Sequence, residues 1–269
     1  MRLFSLIFAG LTMLTASGAA WAHEFWIDPL AYQVQPGTPI EARLIVGQEF
    51  NGSSYPYRPS QIARFDLVSA DTITEVTARI GDNPALNMPA PAEGLIVVVH
   101  ETEDSRLTYT EFAKFEKFVA HKDFEGVIAQ HDARGISREK FTESYRRYAK
   151  ALIGVGNAQG ADAPVGMKTE IVALANPYTD ALTEMPVQVL LDGAPRANAQ
   201  VELFERNADN QVTVTLHRTD AQGKASVPVK KGHSYLVDAV VAEALPNNNP
   251  DDGAVWKTHW AALTFAVPQ

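Results

Sequence analysis

Short runs of alternating apolar and polar residues, each closed by a turn rich in Gly, Pro, Asn or Asp, recur along most of this chain and leave few folds open to it. After the Pro36-Gly37 turn, Ile40, Ala42, Leu44 and Val46 alternate with polar neighbours, as a half-buried strand requires. Further strands are expected at 62–68, 72–80 and 95–101, separated by Gly81-Asp82-Asn83-Pro84 and Pro89-Ala90-Pro91. A strand at 166–175 is followed by others at 187–191, 199–205, 212–218, 225–229, 235–243 and 260–267, punctuated by Asp192-Gly193 and by Asp220 to Gly223. Strands this short and this regularly interrupted indicate β-sandwiches. The chain has no cysteine, so disulfides, thiolate metal sites, cysteine nucleophiles and iron–sulfur clusters are excluded, and stability must come from burial.

Between the two groups of strands the period changes. Phe112, Phe115 and Val119, then Phe124, Val127 and Ile128, recur at helical spacing. Ser137 stands as a cap before a third such run through Phe141, Tyr145, Tyr148 and Leu152, ended by Gly154 and Gly156. The expected architecture is therefore mainly β: a sandwich over 23–178 carrying an α-helical insert at about 108–156, then a smaller immunoglobulin-like sandwich over 179–269. The aromatic stripe of the insert is read as packing against the sandwich rather than as a ligand box.

The first residues carry a separate message. Arg2, an apolar run from Leu3 to about Leu14 and the small-residue sequence Ala20-Trp21-Ala22 have the organisation of a secretory signal peptide over residues 1–22, which predicts a mature start at His23 and a periplasmic destination. Loss of Arg2 with this leader takes the formal net charge from −9 to −10. An acidic surface of this kind repels nucleic acid and anionic lipid, and no later apolar run is long enough to span a bilayer.

A set of segments occurs here in a familiar order: His23-Glu24-Phe25-Trp26-Ile27-Asp28-Pro29, Tyr145-Arg146-Arg147-Tyr148-Ala149-Lys150, Asn176-Pro177-Tyr178, Leu191-Asp192-Gly193-Ala194-Pro195, Thr219-Asp220-Ala221-Gln222-Gly223 and Trp260-Ala261-Ala262-Leu263-Thr264-Phe265. Together they resemble the periplasmic proteins of the domain-of-unknown-function 4198 family, which are associated with nickel or cobalt uptake. The resemblance implies an amino-terminal sandwich with a helical insertion and a transthyretin-like or carboxypeptidase-regulatory-like carboxy-terminal sandwich. It also implies a divalent transition metal as cargo and a membrane uptake transporter as partner. Trp256-Lys257-Thr258-His259-Trp260 departs from the family pattern, which carries an acidic, serine-bearing stretch there, so His259 is particular to this chain.

The residues themselves permit metal chemistry without that resemblance. Cleavage before His23 would leave its free α-amine and its imidazole on one residue, a pair able to chelate a single ion, and both are deprotonated at modest cost near neutral pH. Nitrogen donors suit Ni(II) and especially Cu(II), so copper competes with nickel and cobalt. His100, closing the apolar run 95–99, and His259 are the expected partners of His23. Glu24 or Asp28 would add a carboxylate or orient the ring. His121, His131, His217 and His233 are read as ordinary solvated, capping or strand-end residues, because no HxH, HxxxH or HExxH pair places two imidazoles on one element.

The expected function is thus metal binding rather than catalysis. Neither a G-x-S-x-G elbow nor a phosphate loop is present, and the Asn249 to Gly253 loop lacks the ligand number of an EF-hand. Three alternatives stand beside this reading: a copper-dependent oxidase built on His23, an immunoglobulin-like scaffold without metal, and a glycan-binding surface formed by Tyr55, Tyr57, Trp26, Trp256 and Trp260.

Overall fold

The computed structural model of the chain describes residues 23–70 and 72–269. The expected leader, residues 1–22, lies outside the described residues. In chain order the strands are β1 (Glu24–Pro29), β2 (Gln33–Val34), β3 (Pro39–Gln48), β4 (Asn51–Tyr55), β5 (Ile62–Ser69), β6 (Thr72–Glu75), β7 (Leu86–Pro89), β8 (Gly94–Thr102) and β9 (Ser105–Tyr109). Helices α1 (Phe112–His121) and α2 (Val127–Ala133) follow, and then β10 (Phe141–Val155), β11 (Thr169–Ala173), β12 (Glu184–Leu191) and β13 (Ala194–Pro195). The chain closes with β14 (Gln200–Arg206), β15 (Val212–Arg218), β16 (Lys224–Pro228), β17 (Ser234–Ala244) and β18 (Ala254–Ala266).

These strands form three sheets. A ten-stranded sheet ordered β15-β14-β17-β18-β10-β8-β5-β6, with β2 and β9 also paired to β10, is the central layer. A four-stranded sheet of β1, β3, β4 and β7 covers one face of it, and another of β11, β12, β13 and β16 covers the opposite face. Strand alternation divides the side chains of the central sheet between two cores. Val97, Val99, Tyr148, Leu152, Ala261 and Leu263 pack against Ile171, Met185, Val187 and Val227 on one side, while Ile96, Val98, Ala149, Ile153 and Ala262 meet Phe25, Ile27, Ile40 and Leu44 on the other. The helices pack beside the β1-containing sheet, where Phe115, Phe118 and Phe124 close over Trp256 and Trp260.

The mainly β class with a helical insertion is as the sequence indicated, but two details differ. The helical insert is shorter than the expected 108–156, because the third run is not a helix. It is β10, which at 15 residues is buried along most of its length, with β18 parallel on one side and β8 and β9 antiparallel on the other. A strand buried on both faces loses the two-residue polar alternation that would betray it, and its apolar residues then also satisfy helical spacing. The second difference lies at the boundary expected near Tyr178. β10 pairs with β18 over ten registers, Thr142↔Ala254 through Ala151↔Thr264, so strands assigned to separate sandwiches share the central sheet.

The polar stretch 48–59 contains the turn and second strand of the tight β3–β4 hairpin. Its two turn residues, Glu49 and Phe50, both have positive φ (49° and 59°). Gly47 and Gly52 face each other across it, and a Cβ on Gly47 would lie 1.9 Å from the Asn51 carbonyl oxygen. Only glycine permits that approach. The hairpin delivers Tyr55 to the edge of the cavity described next.

Candidate functional site

Where the first four-stranded sheet leans on the central one, a cavity of about 290 Å³ opens to the surface. Its walls come from β1 and the residue before it, β3, the end of β4 with the segment that follows it into β5, the β8–β9 hairpin, and β10. Apolar residues line its sides (Phe25, Leu44, Val46, Ile62 and Leu107), and its polar groups are His23, His100, Arg58, Arg147, Tyr55 and Tyr145 among others. Among the described residues that line it there is no carboxylate.

His100 is the least ordinary residue of this wall. It is 1% exposed, with the Phe25 ring 5.0 Å away and the Phe65 ring edge-on at 4.9 Å. Neither ring nitrogen has a hydrogen-bond partner among the described residues. Burial pushes its pKa down to about 3, so at neutral pH it is a neutral imidazole with a free lone pair. His23, half-buried, presents an Nδ1 that is likewise unpartnered. Its backbone is held by Arg147, whose guanidinium donates to the His23 carbonyl oxygen at 3.0 Å and stacks over the Tyr145 ring at 4.6 Å. Two of the three expected ligands thus line one cavity.

The third does not. His259 is buried at a position that alternation places on the opposite face of the central sheet, the face of Ala261 and Leu263. Both its nitrogens are engaged, Nδ1 with the Tyr148 hydroxyl and Nε2 with Glu243, each at 3.1 Å. It belongs to the other core and does not join His23 and His100, contrary to the expectation: sequence offers no sign of which face a strand residue takes until the register is known. His131 Nδ1 accepts from Trp256 Nε1 at 3.0 Å, His217 pairs with Thr215 at 2.9 Å, and His233 with Glu205 at 2.6 Å. Asp28, considered as a carboxylate ligand, forms an ion pair with Arg43 at 2.7 Å. Of the rings expected to form a glycan surface, Trp26, Trp256 and Trp260 are only 1–2% exposed, because the sheets and helices use them as core, whereas Tyr55 remains exposed at the cavity edge.

The family model described as "Domain of unknown function (DUF4198)" matches residues 20–243. The chain belongs to the DUF4198 family. No curated protein matches this DUF4198 chain. Among solved structures it is similar to the BSP domain of a biofilm associated protein, at 11% identity and a TM-score of 0.21 over 89% of this chain and 29% of that one. A tetra-tandem repeat in the extending region of a large adhesion protein gives 12% identity and a TM-score of 0.23, over 91% of this chain and 49% of that one. The D0-D1 domain of intimin gives 11% and 0.23, over 90% and 97%. Similarities this loose carry no argument about what the DUF4198 chain binds.

Sequence reasoning missed Arg58, Arg147 and Tyr145 as cavity residues of this DUF4198 protein. Tyr145 and Arg147 were hidden by the helical reading of 141–152. As a strand, the same segment sends Tyr145 and Arg147 to one face and Arg146 and Tyr148 to the other.

Proposed function

We propose that this protein is an exported, non-enzymatic metal-binding protein that holds a divalent transition ion in the His23–His100 cavity and hands it to an uptake transporter. The observation that supports the reading is that two imidazoles, one fully buried, belong to the wall of one cavity and each keeps a ring nitrogen with no hydrogen-bond partner among the described residues. A neutral imidazole left without a partner costs about 1–3 kcal/mol, and a metal ion is a partner that recovers this cost. Nickel or cobalt follows from the family resemblance; the preference of nitrogen donors keeps copper beside them. Processing before His23 would add its α-amine as a third nitrogen on the segment that Arg147 anchors.

A second reading draws on the same walls. Arg58 and Arg147 line the cavity and no described carboxylate does, so a small organic anion suits it, either alone or as a co-ligand that offsets the charge of the ion. Calorimetric titration of the protein beginning at His23 distinguishes the two, using Ni(II), Co(II) and Cu(II) with and without citrate, and citrate alone. Metal binding tighter than about micromolar, weakened by an extra residue ahead of His23, supports the first reading. Binding of citrate with no response to metal replaces it by the second, and no binding of either kind rejects both.

A further inference from the structure

A separate group of ionisable side chains lies behind the strand that carries His23. Successive strand residues point to opposite faces, so Glu24 turns away from the cavity and toward α1 and β14. Around the ammonium of Lys122, just past the end of α1, stand three carboxylates: Glu202 Oε1 at 2.9 Å, Asp238 Oδ2 at 3.1 Å and Glu24 Oε1 at 3.2 Å. None of these four side chains is more than 8% exposed. One ammonium balances one carboxylate, so were all three carboxylates ionised the quartet would carry two uncompensated negative charges where water scarcely reaches, a costly arrangement that either protons or a cation relieves.

The unpaired atoms show where it would join. Lys122 occupies the Oε1 oxygens of Glu24 and Glu202, whereas the Oε2 oxygen of each has no hydrogen-bond partner among the described residues. His121 Nε2 stands 3.5 Å from Glu202 Oε2, beyond a good hydrogen bond but close to the separation of two ligand atoms on one ion. A ligand atom from each of Glu24, His121 and Glu202 lies within 4.8 Å of the others, and bonds of about 2.0–2.2 Å to a common ion need the three side chains to draw modestly inward. That ring borders an open cleft lined also by Gln48, Glu49 and Phe118, which gives an ion a way in and leaves room for water on its free positions.

We propose that Glu24, His121 and Glu202 bind a divalent transition-metal ion of the zinc, nickel or cobalt type, which pins the helical insert to β1 and β14. One imidazole nitrogen with two carboxylate oxygens is a donor set for such ions rather than for calcium or magnesium, which take oxygen alone. The ion supplies the positive charge that the ionised quartet would lack. None of these three residues lines the His23–His100 cavity, so the site stands even if that cavity takes no metal.

The test uses the whole protein beginning at His23, stripped with EDTA, and compares it with His121→Ala, Glu202→Gln and His100→Leu. Zn(II) and Ni(II) binding is measured by calorimetry and by the thermal midpoint. For the wild type, saturating Zn(II) is expected to raise the midpoint by several degrees, since the ion bridges elements distant in sequence. His121→Ala removes a half-exposed ring and leaves the fold intact; it is expected to lose about tenfold or more in affinity at this site, together with the midpoint shift. Glu202→Gln is expected to do the same, and His100→Leu to retain both. An equal midpoint shift in wild type and His121→Ala overturns the proposal, as does a wild type that neither binds Zn(II) nor shifts; protons would then balance the quartet. If His100→Leu alone loses binding, the metal belongs to the first cavity only.

Discussion

His100 spends its burial on nitrogens that bond to nothing described, between Phe25 and Phe65, where an aliphatic side chain would be cheaper. His100→Leu should therefore stabilise the protein by about 1–2 kcal/mol while weakening any metal held in the cavity, and urea unfolding of the two proteins checks the first half of that statement. A variant no more stable than wild type would mean that the imidazole is already satisfied. Glu143 makes a comparable prediction in pH. It is buried, accepts from the Tyr109 hydroxyl at 2.8 Å and from Thr258, and burial pushes its pKa up to about 7 from an ordinary 4.5. A carboxyl whose folded pKa lies above its unfolded value contributes stability that is complete below about pH 4.5 and lost as pH rises through about 7. The thermal midpoint of the wild type should accordingly fall more between pH 5 and pH 8 than that of Glu143→Gln, which has no proton to lose there. Equal slopes would show that Glu143 does not titrate in this window.

Among the elements, β10 does the most to organise the molecule. It touches β18, β8, β9 and β2, carries Tyr145 and Arg147 to the cavity, and buries Lys150 completely between Asp162 at 2.6 Å and Glu170 at 3.1 Å. That triad fastens the segment after β10 to the start of the next sheet. Lys150→Ala strands two buried carboxylates and should cost about 3–5 kcal/mol, measurable as a lowered denaturation midpoint. A loss below about 1 kcal/mol would show that water enters and solvates them. The helical reading of 141–152 failed for a stated reason: Ala149, Lys150, Ala151 and Leu152 are good helix formers, and burial on both faces removes the alternation by which a strand is recognised. By contrast Phe112–His121 and Val127–Ala133 are helices as expected, because their apolar residues keep one face toward Trp256 and Trp260 and leave the other to solvent.

For the whole molecule, the continuous central sheet makes the two expected sandwiches depend on each other. Separating 179–269 from the rest would strip β18 of its parallel partner β10 and uncover Phe204, Leu236 and Ala262, which face the core shared with β1 and β3. The intact chain should unfold in one transition, with far-ultraviolet circular dichroism and tryptophan fluorescence coinciding across a urea series, and a 179–269 fragment should lack a cooperative transition. Two resolved transitions, or a fragment that melts cooperatively, would restore the picture of separate domains.

Local pattern alone was enough to locate most strands, the two helices, the need to do without disulfides and the histidines worth attention, because alternation, turn chemistry and composition are properties of neighbouring residues. Tertiary structure alone decided that His100 joins His23 while His259 faces the other core, that Arg147 reaches a carbonyl 124 positions away, and that His121 meets Glu24 and Glu202. Those outcomes depend on which strands pair and in what register, and a single step of register turns every side chain to the opposite face.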